Sequence, residues 1–264
     1  MSQLVAIVSQ KGGVGKTSTA VNLGACLAAI KRRVLLVGMD PQCGLTKSFG
    51  VDTGAVRAGL FDMIKDGAAP DEVIYRSHRR LPRLDYLPAN VRTAADEAEF
   101  MRVITKNQDY FLNAMDLIRP SYDFIFLDCP PRLDQPTTAA LAVADSYMVP
   151  IQCEYAAMGT VGRLLRAALD AKRQHNNRLA IFGFLITMAD KRARFTVKVI
   201  QEIRHYLKER VFRTIIPRDP RLAEVCFRGE PVIAYDMDCP GAKSYIQLAR
   251  EVLSEQKRAM EPLL

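Results

Sequence analysis

Apolar positions along the chain alternate between two rhythms. Continuous apolar runs end at a glycine, a proline or an aspartate, and between them apolar residues recur at helical spacing. The run "QLVAIV" at residues 3–8 stops at a glycine-rich turn and predicts a buried parallel strand. "RRVLLVGMD", ending at Asp40, and "YDFIFLDCPP", ending at Asp128 before Pro130 and Pro131, predict two more. "DSYMVPIQ", "LAIFGFLIT" and "VFRTIIP" continue the series. Ala20, Leu23, Gly24 and Leu27 give residues 17–30 a helical face, and residues 161–172 and 197–208 read the same way. Strands alternating with helices predict an α/β fold: a doubly wound, mostly parallel sheet with helices on both faces and ligands at the strands' C-terminal ends. Residues 65–96, with Gly67, Pro70, Pro82 and Pro88, are the least regular stretch and read as a peripheral excursion. No repeat, low-complexity segment or linker interrupts the pattern, so a single domain is expected over residues 1–264.

Composition narrows the class. The chain has 264 residues, 49% of them hydrophobic, enough for one substantial core. No apolar run is long enough for a membrane span, and the opening "MSQLVAIVSQKGG" lacks the basic region of a signal peptide. Six cysteines, at 26, 43, 129, 153, 226 and 239, form no C-x-x-C pair, which points to reduced thiols rather than zinc or disulfides. The net charge of +8 matters only through where it sits.

The chemistry begins at "SQKGGVGKTS", residues 9–18. The common phosphate-loop pattern G-x-x-x-x-G-K-[ST] would place a glycine at position 10, where this chain has Gln10 followed by Lys11. The rest of the motif is intact. Gly12, Gly13 and Gly15 let the backbone turn its N–H groups onto phosphate oxygens, with Val14 among them. Lys16 is positioned for the β- and γ-phosphates, and Thr17 for Mg²⁺, with Ser18 following at the helix start. ATP and Mg²⁺ are the expected cofactors. Lys11, in the first half of the loop, points along its rim and is available to a nucleotide on another subunit.

With "KGGVGKT", "VLLVGMDPQ" (residues 34–42), "FIFLDCPP" (124–131), "VPIQCEYAAMGTVG" and "IIPRDPRLAE", the chain resembles the deviant Walker A ATPases, and within them the ParA/Soj partition ATPases, from residue 3 to about 253. The resemblance implies a nucleotide-sandwich homodimer in which Lys11 contacts the partner's ATP, making Lys11, Lys16 and Asp40 the catalytic set. It implies that Asp40 orients the attacking water and that Thr17, Asp40 and Asp128 surround Mg²⁺. Glu154 matches a glutamate near the sandwich interface. In the second motif the family writes D-x-D-P-Q-G-N, whereas this chain has Gly38 for the first aspartate and Cys43-Gly44 for the last pair.

Charge concentrates late in the chain. Between Lys191 and Arg228, eleven Lys or Arg face four acids, an excess of seven. With no helix-turn-helix and no stacking pattern, this predicts phosphate contacts and sequence-independent, salt-sensitive binding to double-stranded DNA within residues 188–228. The resemblance assigns DNA contacts to Arg192 and Arg221, with Lys191, Arg194 and Lys198 beside them. The adenine is expected against Met188, Pro217, Arg218 and Asp219, after two strand ends.

The resemblance also implies a ParB-like activator and a cytoplasmic, nucleoid-associated positioning role for a weak intrinsic ATPase. The chain starts at the loop, so no N-terminal DNA-reading domain and no autorepression are expected. Two alternatives stand. A MinD-like membrane-associated ATPase would need an amphipathic anchor, for which the polar "SEQKRAMEPLL" is short, so no stable membrane association is expected. A metabolic member such as the nitrogenase iron protein would need cluster cysteines, and none lies between 43 and 129.

Overall fold

The computed structural model describes residues 2–77, 79–154, 157–190 and 193–260, and the backbone alone at 157–158, 194 and 255–260. In chain order the elements are β1 Gln3–Ile7, α1 Lys16–Ala29, β2 Val34–Gly38, α2 Gly44–Lys47, α3 Leu60–Asp66, α4 Pro70–Val73, β3 Tyr75–Arg76 and β4 Leu84–Leu87. There follow α5 Ala94–Lys106, α6 Gln108–Ile118, β5 Phe124–Asp128, α7 Gln135–Val143, β6 Ser146–Gln152, α8 Ala157–Gln174 and β7 Ala180–Ala189. The chain continues with α9 Arg194–Leu207, β8 Val211–Pro217, α10 Pro220–Arg228, α11 Val232–Tyr235 and α12 Pro240–Met260.

The strands form one eight-stranded sheet in the order β3-β4-β2-β5-β1-β6-β7-β8. Every pairing is parallel except β3 with β4. Alternate residues of each strand point to opposite faces, so the central strands, all buried, feed two cores. Leu4, Leu35, Ile125 and Leu127 pack with Phe100, Phe111 and Ile203 from α5, α6 and α9. Val5, Leu36, Phe124 and Phe126 pack with Leu23 and Leu27 of α1 and Tyr245 and Leu248 of α12. This is the doubly wound arrangement the strand–helix alternation predicts.

The stretch 65–96 departs from its reading as an excursion. It contributes β3 and β4, and β4 pairs with β2 along its length. Both strands are short; β3 is the edge strand and β4 lies between it and β2. Asp85 and the flanking prolines Pro82 and Pro88 break up the apolar run that marks the central strands.

The β4 end is tightly joined to α3. Leu60 N–H donates to Pro88 O at 2.7 Å, and Phe61 N–H to Ala89 O at 3.1 Å. A Cβ at Gly59 would lie 2.4 Å from Pro88 O and 2.6 Å from Asn90 Cβ, a clash with backbone that no rotamer relieves. Gly59→Ala is expected to destabilise the fold by ~2–3 kcal/mol. In a thermal melt that is a drop of roughly 5–10 °C; an unchanged melting temperature would show that this junction yields.

Candidate functional site

Register brings the chemistry together. Asp128, last residue of β5, lies opposite Ile7 of β1 on one side and Gly38 of β2 on the other. The loop after β1, Asp128 and Asp40 therefore emerge at the same edge of the sheet. Met39 N–H donates to Asp128 O at 2.9 Å and locks the neighbouring strand ends.

The loop turns through Gly13 (φ +73°) and Gly15 (φ +91°), left-handed conformations that a side chain would strain by about 1–2 kcal/mol. Gly15 caps α1 without a side-chain bond, and the first helical turn holds no acid, leaving the positive end of the helix dipole for an external anion. Buried Thr187 on β7 donates its hydroxyl to Val14 O at 2.9 Å, bracing the loop from behind.

Lys16 turns inward. Its side chain is buried and its Nζ donates to Lys11 O at 3.3 Å. Burial lowers its pKa below the usual lysine value, partly opposed by the nearby Asp128 carboxylate. Thr17 Oγ1 donates to Asp128 Oδ2 at 2.7 Å. Asp128 is fully buried, and burial pushes its pKa up to about 7 against the Thr17 bond and the Lys16 charge.

The other oxygen of Asp128, Oδ1, has no hydrogen-bond partner among the described residues. A buried carboxylate oxygen left over beside a threonine hydroxyl fits a hard divalent cation, so the residues present suit Mg²⁺. Asp40 is half-buried two positions past the end of β2. Its Oδ1 accepts from Gln42 N–H at 2.9 Å, an Asx turn that fixes the carboxylate's orientation.

The departures in the second motif have local physical consequences. A Cβ at Gly38 would lie 3.3 Å from Ala89 N, so the missing aspartate there coincides with a close pass of the chain after β4. Cys43 adopts φ +54°, the left-handed conformation that glycine takes more easily, while its thiol packs at 3.5 Å from Val91 O. Gly44 sits against Thr17, whose Oγ1 is 3.5 Å from where a Cβ would be.

Lys11 turns the other way. Its Nζ forms an ion pair with Glu154 and donates to Gln152 Oε1 at 3.3 Å, both at the end of β6. Gln152 and Thr187 were not visible as site residues in the sequence. Gln152 closes β6 within the block "VPIQCEYAAMGTVG" and Thr187 lies near the end of β7, but neither residue type singles itself out, and strand pairing brings them to the loop.

The adenine candidates are neighbours. Ala189 pairs with Pro217, and Arg218 N–H donates to Ala189 O at 3.1 Å. Met188, at φ +53°, has its Cε 4.0 Å from a Cβ built on Gly15. Asp219 is occupied by the fold: one oxygen accepts from Arg221 N–H at 3.0 Å and the other from Gly241 N–H at 2.9 Å.

Of the basic residues, Lys191 and Arg192 lie outside the described residues, as does the side chain of Arg194, which begins α9. Lys198 is exposed on the same helix. Arg221 opens α10 and pairs through Nε with Asp236 Oδ2 at 2.9 Å. Exposed Arg218 and Arg228 flank it, and Phe227 beside them is 94% exposed.

The chain is similar to several known proteins. A family model described as an AAA domain matches residues 2–181. The sporulation initiation inhibitor protein Soj of Bacillus subtilis is 39% identical over 252 residues, covering 96% of this chain and 98% of that one. The chromosome partitioning protein ParA of Caulobacter vibrioides is 36% identical over 258 residues, covering 97% and 95%. The crystal structure of cobyrinic acid a,c-diamide synthase from Mycobacterium smegmatis, with bound ATP analog and magnesium, matches with a TM-score of 0.82 at 28% identity, covering 98% and 97%.

Proposed function

The chain belongs to the Soj/ParA family of partition ATPases within the MinD/ParA superfamily, and on that premise we propose that it is an ATP-switched dimer that binds DNA without sequence preference and positions chromosomal, plasmid or other cargo. The observation that carries this reading is the opposite orientation of the two loop lysines. Lys16 folds into its own loop, where it would meet the phosphates. Lys11 folds out of it, to the end of β6, where it is turned aside from the loop that Lys16 closes. A lysine so placed serves a nucleotide on a second copy, which makes ATP binding and dimerisation one event.

When bound, Mg²⁺ neutralises phosphate charge; Thr17 and Asp128 would hold it, with Asp40 close by. Lys16 and the N–H groups of the loop bind and orient the triphosphate. Asp40, oriented by its Asx turn, positions the attacking water. Met188, Pro217 and Arg218 line the side of the site where the base would pack, with Asp219 fixing the turn beneath them. Positioning by a lone carboxylate, without a second base, supports slow intrinsic hydrolysis that an activator protein accelerates. The basic residues of α9 and α10, with Lys191 and Arg192 between β7 and α9, form the DNA face, active when two copies combine theirs. Among the described residues no helix is long and apolar enough to cross a membrane. A cytoplasmic, nucleoid-bound localisation belongs to this proposal and is supported by the likeness to the Soj and ParA relatives.

The test is binding to random-sequence duplex DNA at moderate salt with ATP, ADP and no nucleotide. Binding is expected only with ATP, and Lys11→Ala is expected to lose both dimer and DNA binding while still taking up ATP as a monomer. A full-sized ATP dimer in Lys11→Ala would remove the sandwich reading. Arg221→Ala is expected to dimerise normally, bind all duplex sequences more weakly, and reduce the slope of log K against log salt by about 1. An unchanged slope would take Arg221 out of the DNA face.

A further inference from the structure

Lys11 is tied at two points, and both ties bear on when it can leave its own chain. Its ammonium is held by the Glu154 carboxylate and the Gln152 amide oxygen. Its carbonyl accepts the Lys16 ammonium at 3.3 Å. Glu154 lies 143 positions along the chain from Lys11, so the contact is a product of strand order: β6 lies beside β1, and its end comes level with the start of the loop. Both partners are about one-third exposed, 37% for Lys11 and 33% for Glu154, so the pair is screened and reversible rather than a locked core contact.

We propose that Glu154 and Gln152 form an intrachain holding site for the Lys11 ammonium, which competes with the nucleotide of a second copy of the chain and so sets a threshold that dimerisation must exceed. The proposal rests on the sandwich-dimer reading above. Dimerisation is then an exchange. Lys11 gives up one carboxylate and one amide oxygen in its own chain and gains phosphate oxygens in the partner. The exchange is favourable only when the phosphate contacts outweigh the contacts given up together with the other costs of association. A triphosphate carries a terminal phosphate that a diphosphate lacks, so it clears this threshold by the larger margin. Nucleotide binding also loosens the other tie, because Lys16 must release the Lys11 carbonyl to engage phosphate. The holding site therefore opposes a dimer formed on the spent nucleotide.

Two substitutions move the equilibrium in opposite directions. Glu154→Gln removes the competing charge, and Gln152→Glu adds a second one. Dimer dissociation constants are measured by sedimentation with Mg-ADP and with a non-hydrolysable Mg-ATP analogue, for the unaltered chain, both variants and Lys11→Ala. Acylation of Lys11 by an amine-reactive ester in the nucleotide-free monomer, read by mass spectrometry, reports the tie directly.

Glu154→Gln is expected to dimerise roughly fivefold more tightly with both nucleotides, so that an ADP dimer becomes detectable, and Gln152→Glu roughly fivefold more weakly, the ceiling set by an exposed ion pair. Lys11 should acylate faster in Glu154→Gln and slower in Gln152→Glu. Equal or weaker dimerisation in Glu154→Gln, or unchanged acylation, while Lys11→Ala blocks the dimer, would overturn the holding site and leave the sandwich reading standing. A full dimer in Lys11→Ala would bring down both.

Discussion

Lys16→Ala is expected to lose ATP turnover by at least ~10²-fold, the scale of removing one preorganised charge from a phosphoryl-transfer site. The structure makes the loss larger than that of a surface lysine. The side chain is 7% exposed and its charge faces the Asp128 carboxylate in the interior. Removing it deletes the phosphate contact and leaves a buried aspartate with one fewer positive neighbour, which raises the cost of keeping Asp128 ionised for a metal. Steady-state phosphate release and titration with ADP measure the two consequences. A melting curve close to that of the unaltered chain separates them from misfolding. Turnover within threefold of the unaltered protein would remove Lys16 from the site.

Asp40→Ala is expected to bind ATP and dimerise but to hydrolyse roughly 10²–10⁴-fold more slowly, the range assigned to a positioned general base. The dimer should then accumulate, because the step that ends the ATP state is blocked. Asp40→Asn sharpens the test. An asparagine oxygen can still accept from Gln42 N–H and preserve the turn, so its defect isolates the carboxylate's action on water from its role in shaping the loop. If Asp40→Asn turned over at the normal rate, Asp40 would be an architectural residue and another group would position the water.

Much of the molecule was legible beforehand. The apolar runs at 3–8, 32–40 and 122–131 became β1, β2 and β5, because a strand buried on both faces has no polar position to blur it. Loop glycines, Lys16 and Thr17 were readable because a phosphate-binding turn needs left-handed backbone, a cation and a hydroxyl at fixed offsets. Asp128 and Asp40 stood out as charges closing apolar runs. By contrast, β3 and β4 are hidden in a proline-interrupted stretch, since strands of two and four residues are too short to show a periodicity. The sequence reading places Asp219 at the base, and nothing in the sequence shows that its two oxygens also accept the N–H groups of Arg221 and Gly241, a use that depends on where α12 begins.

The chain's own order of residues thus determined the local chemistry: which segments are strands, where the phosphate loop turns and which carboxylates end beside it. Tertiary structure alone decided what those groups face. The register of β5 against β1 and β2 brought Asp128 between the loop and Asp40, and the placement of β6 beside β1 put Glu154 and Gln152 on Lys11. Local spacing governs contacts within a turn or a strand. A contact between residues more than a hundred positions apart is set by strand order and register, which arise from the packing of the whole sheet.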